Sequence, residues 1–268
     1  MIPPGDRDFP WWLLAALGLL AWWIASIWGD PFHAALAATL LKGVRVTLFV
    51  TATAFAAASA LGLMLALMLL SRRIVVRQVA RFYVEIVRGV PILVLLLYVA
   101  FALAPALVAA ANWALEPLGL PPLRTRDFPL LWRAIIALTL GYAAFLAEVF
   151  RAGILSVDPG QVEAAKALGL RPRHRFRLIV WPQAVRTVLP PLGNDFVAMV
   201  KDSSLVSVLG VLDVTQLGKV SAVSNFRYFD TYNMVAVVYL TLTVGLSVVL
   251  RRIEARLRRR AGIEDRRA

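Results

Sequence analysis

The chain predicts an all-α integral membrane protein with about six transmembrane helices, and three observations carry that prediction. Of its 268 residues, 60% are apolar and only 17% are charged, far from the composition of an average soluble domain. The apolar residues are gathered into blocks near the roughly 20 residues that take a helix across about 30 Å of hydrocarbon. The basic residues collect in every second connection between those blocks.

Six spans are expected, near residues 11–28, 40–70, 91–111, 130–150, 189–212 and 232–250. The first, WWLLAALGLLAWWIASIW, has the apolar length of a signal segment. It lacks a basic leader and a small-residue cleavage site, so it reads as a retained helix with tryptophans at both interfaces. In the second, Ala54, Ala58, Gly62 and Ala66 recur every four residues, a ridge of small side chains suited to close helix packing or to sliding. Thr39, Gly43, Thr47 and Thr51 form a polar counterpart, whose hydroxyls can also bond their own backbone.

The third span is entered through Arg88, Gly89 and Pro91, with proline at the first turn; the mixed stretch 78–90 leaves its start open. Near the inner end of the fourth, Glu148 and Arg151 stand three apart, the spacing of a helical ion pair. The fifth carries Asp195, Lys201 and Asp202, where a charge at mid-bilayer costs about 2.5–3.5 kcal/mol. Such groups face protein or water. Asp195 and Asp202 are seven residues apart and share a helix face, so both carboxylates could receive an ammonium group. The competing reading is that Lys201 neutralises them, or that they lie near helix ends.

A net charge of +13 raises the question of nucleic acid, and the placement of the charge decides against it. Of the 29 Lys and Arg residues, 21 fall in Arg7, 72–88, 151–186 and 251–267, the segments that share one side under a six-helix reading. This is the positive-inside pattern, and it puts both termini and the 151–188 loop in the cytoplasm. The basic tail, 251–268, either rests on anionic lipid headgroups or is a solvated helix without a specific partner.

The loop sequence DPGQVEAAKALGLRPRHRFRLIVWP, residues 158–182, predicts a short helix. Asp158 can cap it, Pro159 fits the first helical position, and Gln161 stands where a capping box wants it. Gly169 can close the helix in the left-handed conformation, with Pro172 following. At about 1.5 Å per residue the helix is about 15 Å long, too short to cross a bilayer, so it lies at the headgroups as a docking surface.

That loop resembles the EAA loop of permease subunits from bacterial ABC importers, with Glu163, Ala164, Ala165, Gly169, Ile179 and Pro182 at the matching positions. Trp181 departs from the leucine usual there. The resemblance runs over most of residues 39–250, through VTLFVTATAFAAASALGLMLALM, EIVRGVPILVLLLY, AEVFRAGILSVDPGQVEAAKALG, PQAVRTVLPPLGNDF and KDSSLVSVLGV, blocks similar to the polar amino-acid branch. It implies a five-helix core over 39–250, preceded by an added helix and outer loop in 1–38. It also implies cytoplasmic ATPase subunits docking on 158–170, with Glu163, Ala164, Ala165, Leu168, Gly169 and Pro182 at the contact. The remaining implied partners are a second identical or related permease, an extracytoplasmic amino-acid-binding protein, the amino acid itself and membrane lipids, in a bacterial inner membrane. Asp195, Lys201, Asp202, Thr47 and Thr51 are the candidate substrate contacts.

No bond chemistry is expected in this chain. Cysteine is absent, which excludes disulfides and thiol chemistry. His33 and His174 form no metal-type spacing, and Gly218-Lys219 is followed by Val220 without the upstream glycine of a phosphate loop. ATP and Mg are expected only on the partner ATPase. An ion-coupled carrier or channel, with the fifth-span charges as its ion site and no ATPase, is the alternative; a membrane-embedded enzyme would need a catalytic or metal constellation that the sequence lacks.

Overall fold

A computed structural model describes residues 11–119 and 121–260; Arg7 and the end of the basic tail, 261–268, lie outside the described residues. Among the described residues the regular structure is helical throughout. Helix α1 (Trp11–Gly29) is followed after one residue by α2 (Pro31–Leu69), so the connection is Asp30 alone rather than an outer loop reaching residue 38. Asp30 caps α2 by accepting the Phe32 N–H at 2.8 Å, and Pro31 starts the helix.

After α2 come α3 (Ile74–Gly89) and α4 (Ile92–Tyr98), a π-helical turn (Val99–Leu103) and α5 (Ala104–Leu115). Then α6 (Leu130–Leu155), α7 (Pro159–Ala167), α8 (Pro172–Arg175), a second π turn (Phe176–Val180) and α9 (Trp181–Asp202) follow. A 3-10 segment (Ser203–Leu209), α10 (Val214–Asn225) and α11 (Tyr228–Arg260) complete the order. Pro31–Leu69, Ile92–Leu115, Leu130–Leu155 and Tyr228–Ile253 are long and apolar enough to cross a membrane. The mixed stretch before the third span is a separate helix, α3, and the fifth expected span is cut at Asp202 instead of running to 212. Ser203–Leu209 is as apolar as a helix continuation, but it winds more tightly and ends at Gly210 with φ +81°, a left-handed conformation that glycine adopts freely.

The core is built on α2 and α6, which make the most extensive contact in the fold. Ala54, Ala58 and Ala66 are completely buried, and a Cβ added to Gly62 would lie 2.9 Å from Leu146 Cβ and 3.1 Å from Ala143 O. The small ridge is therefore a packing surface. Thr139 Oγ1 donates to Ala54 O at 3.4 Å, and with the Gly62 contact further along both helices this shows α2 and α6 running in the same direction. Helix α9 runs the other way, with Val188 against Gly153 at one end and Asp202 against Tyr142 at the other.

A second buried cluster joins α2 to α10 and α11 through Leu40, Val214, Val235 and Val238. Asp213 caps α10 by accepting the Gln216 N–H at 2.8 Å, while the Tyr239 hydroxyl donates to its other oxygen at 3.0 Å. A Cβ at Gly43 would stand 2.7 Å from Val214 N, so glycine is required for α10 to approach α2 this closely.

Two prolines shape the spans. A π turn bonds each carbonyl to the N–H five residues on. Ala104 N–H takes Val99 O, and the donor that Ala100 O would use next belongs to residue 105, which is proline and has none. The second π turn ends identically: Trp181 N–H takes Phe176 O, and Pro182 follows.

Candidate coupling and translocation sites

Helix α7 forms as its caps require. Asp158 Oδ1 accepts the Gly160 N–H at 2.7 Å. At the other end Leu170 N–H bonds Ala165 O at 3.1 Å and Gly169 N–H bonds Lys166 O at 3.0 Å, with Gly169 at φ +75°. That pair of bonds around a left-handed glycine is the Schellman closure. The expected capping box is absent. Gln161 instead accepts the Gln183 Nε2 donor at 2.6 Å, which fastens α7 to the start of α9.

The inner face of α7 presents Val162 to a small apolar cluster of Val157, Val180 and Ala184, with Phe176 and Ile154 beside it, and Ala165 on the same helix is buried. Its outer face presents Glu163, Ala164 and Lys166, and Leu168 at its end is 82% exposed. Glu163 forms no ion pair among the described residues. Pro182, also exposed, lies in the first turn of α9 just after the π turn. Below α7, a Cβ at Gly153 would fall 2.1 Å from Val188 Cγ2, and Ser156 Oγ donates to Thr187 Oγ1 at 3.3 Å. Helix α7 is thus bonded to the start of α9, and α9 is packed closely on α6 at Gly153. The pair expected at the end of α6 forms, with Arg151 Nη2 2.7 Å from Glu148 Oε2.

Within the spans, α9 ends at Asp202, level with the middle of α6. Asp202 Oδ2 accepts the Tyr142 hydroxyl proton at 2.7 Å, and Tyr142 is buried. Asp195 is half-buried and Lys201 exposed; among the described residues no ion pair joins Lys201 to either aspartate. Around Tyr142 stand Phe145, with ring centroids 6.3 Å apart, and Arg88, whose guanidinium lies 5.7 Å from the Phe145 ring centroid. Tyr142 carries no signal in the sequence beyond being a polar-tipped residue inside an apolar block.

Thr47 and Thr51 lie elsewhere. Both are fully buried, Thr51 donating to Thr47 O at 2.8 Å and Thr47 Oγ1 accepting the Val214 N–H at 3.4 Å. Thr47 thereby joins α2 to α10, away from the Tyr142–Asp202 contact. No group of three or more His, Cys, Asp or Glu suited to a metal ion occurs among the described residues.

Comparison with known proteins shows the family. Residues 58–262 match the family described as binding-protein-dependent transport system inner membrane component. The chain is 37% identical over 213 residues to the probable amino-acid permease protein YxeN of Bacillus subtilis (strain 168), covering 79% of this chain and 88% of that one. It is 32% identical over 219 residues to the glutamine transport system permease protein GlnP of Escherichia coli (strain K12), covering 82% and 93% respectively. Among solved structures, an amino acid ABC transporter with histidines superposes with TM-score 0.68 at 34% identity, covering 81% of this chain and 94% of that one. The inward-facing MetNI methionine ABC transporter, at TM-score 0.65 and 21% identity over 81% of this chain and 95% of that one, shares the fold. With the family match covering most of the chain, several apolar spans and a capped helix between two of them, the protein belongs to the binding-protein-dependent transport system inner membrane components, the permeases of ABC importers.

Proposed function

We propose that the chain is the permease subunit of an ATP-driven amino-acid importer in a bacterial inner membrane, and that it forms half of the translocation path. The other half is a second identical or related permease. Cytoplasmic ATPase subunits, carrying ATP and Mg, dock on α7, and an extracytoplasmic binding protein delivers the substrate. The observation that carries this reading is α7 itself, a short helix fastened to the start of α9 on one side and presenting Glu163, Leu168 and the Gly169 turn on the other. Closure of the ATPase dimer pushes on that face, and the packed spans turn the push into alternating access. Reversing a 1:99 population takes about 5.5 kcal/mol of differential binding, a load that a helix with one buried face can bear and a loose loop cannot.

For substrate, the reading places the amino acid beside the broken end of α9, where Asp195 and Asp202 receive its ammonium group and Lys201 its carboxylate. Helix ends at mid-membrane are where carriers hold charged ligands, and the names of the two relatives support an amino acid. Both termini and α7 lie on the cytoplasmic side, as the basic segments require.

Gly169→Asp tests the docking role. The variant should insert normally and retain ATP hydrolysis by the reconstituted complex while uptake is lost; normal uptake would remove α7 from the coupling path and favour a carrier without ATPase. Asp202→Asn tests the substrate role. The apparent affinity for the amino acid should weaken by about tenfold, the size of one lost charge-assisted hydrogen bond, and an unchanged affinity excludes Asp202 from the site.

A further inference from the structure

Helix α3 divides into three faces rather than two. Ala80 and Val84 are buried, with half-buried Val76, Tyr83 and Val87 beside them, and the Tyr83 hydroxyl donates to Leu140 O at 2.8 Å. About 120° around the helix, at 100° per residue, Val75, Val79, Phe82 and Ile86 form a continuous stripe, exposed by 70%, 57%, 71% and 53%. The third face carries Arg77, Arg81 and Arg88 with Gln78 and Glu85, and Arg72 and Arg73 stand exposed just before the helix. Glu85 is the single acidic residue in 72–89, and it forms no ion pair among the described residues.

A helix with one face on protein, one apolar face open and one basic face fits one place, the boundary where protein, hydrocarbon and water meet. The stripe is too large to leave in water. A second copy of this chain is a poor occupant, because the arginines flanking the stripe would confront those of the copy across a two-fold interface.

We infer that α3 and the turn before it form an anionic-phospholipid ridge: Val75, Val79, Phe82 and Ile86 enter the acyl chains, and Arg72, Arg73, Arg77 and Arg81 hold phosphate headgroups. Arg88 takes no part, being engaged over Phe145. Tyr83 and the α2 contact of α3 make the ridge part of the packed core, so bound lipid bears on the position of α6.

The absence of cysteine makes a single reporter straightforward. The full chain bearing Val79→Cys, labelled with bimane, is placed in phosphatidylcholine vesicles that contain an equal minor fraction of either brominated phosphatidylglycerol or brominated phosphatidylcholine. Brominated phosphatidylglycerol should quench at least about threefold more strongly, given the attraction of each basic residue to an anionic surface. Two further measurements should bring the ratio to about one: the R72Q/R73Q/R77Q/R81Q variant, and the unsubstituted arginines at high salt. The second of these needs no altered charge, so poor folding of the variant cannot obscure the result. Equal quenching by the two lipids with all arginines present would overturn the inference. So would absence of quenching by either lipid together with oxidative cross-linking of two copies through the unlabelled V79C thiol, which would assign the stripe to a permease interface.

Discussion

The two π turns among the described residues end in the same way, one residue short of a proline, yet the chain secures them differently. At 99–103 the carbonyl of Ala100 that Pro105 cannot serve is taken by Arg133 Nη1 at 3.0 Å. Arg133 is buried and also donates through Nε to Phe128 O at 2.9 Å and through Nη2 to Thr125 O. Asn112 holds the same connection in a two-way amide pair with Leu123, at 2.9 and 2.8 Å. At 176–180 the equivalent carbonyl belongs to exposed Arg177, and the nearby Ile179 O receives the Gln183 Nε2 donor at 2.9 Å. One break is locked by a buried guanidinium, and the other is held at the surface by neutral amides that water can replace. The difference teaches that a helix break becomes rigid or compliant through its supporting shell. In this permease the compliant one adjoins α7.

Arg133→Ala should cause the largest loss. It strips donors from three carbonyls, each costing about 1–3 kcal/mol if left unsatisfied in a buried site, so unfolding in detergent should show a destabilisation of about 3 kcal/mol or more. Arg133→Lys should recover only part, because an ammonium cannot span three acceptors in one plane. Unfolding like that of the parent protein would mean that the outer break is not locked.

Next is the crossing of α6 and α9. Gly153→Ala should cost about 1–3 kcal/mol by overpacking against Val188, and adding Val188→Ala should return most of it, a coupling measurable in a double-mutant cycle. Additive effects would show that the two helices can part there without cost.

Gln183→Ala should be milder, about 0.5–1.5 kcal/mol, with faster amide exchange across 176–182 and no change across 99–105. Equal exchange at the two breaks would erase the distinction between them.

The smallest effect concerns Asp30. The Phe32 N–H, and after it the charge of Arg227, hold the Asp30 carboxyl below its ordinary value of 3.8. Because the folded value is the lower one, the contribution is present above pH 3.8 and lost as pH falls through the shifted value. Arg227 also lies 4.2 Å from the Phe32 ring centroid, so Asp30→Asn should abolish only the acid-side part of the pH dependence of unfolding. A pH profile unchanged by that substitution would remove the Asp30 contribution.

Much of this structure was legible in the sequence. Asp158, Pro159 and Gly169 announced both ends of α7 because capping is local chemistry, decided by residues within one turn. The four-residue ridge of α2 was visible because helical packing repeats. Gln161 misled because a distant competitor, Gln183, is a matter of tertiary contact. The end of α9 at Asp202 was legible only as the alternative that these charges lie near helix ends, since SSLVSVL is apolar enough to continue a span and composition does not distinguish an α from a 3-10 winding. Tyr142 was missed for a related reason: its role comes from the level at which α9 stops. The third face of α3 was hidden as a merely mixed stretch until the exposure of Val75, Val79, Phe82 and Ile86 separated it from the buried side.

The central claim is that work enters this permease from a separate ATPase through α7. The direct measurement is uphill amino-acid uptake into vesicles holding the purified permease, with and without its ATPase and binding protein and with internal or external ATP placed on the α7 side. Accumulation against a gradient should appear only with the ATPase present and ATP on that side, and should vanish with Gly169→Asp. Full-rate accumulation by the permease alone, driven by an ion gradient, would contradict the account.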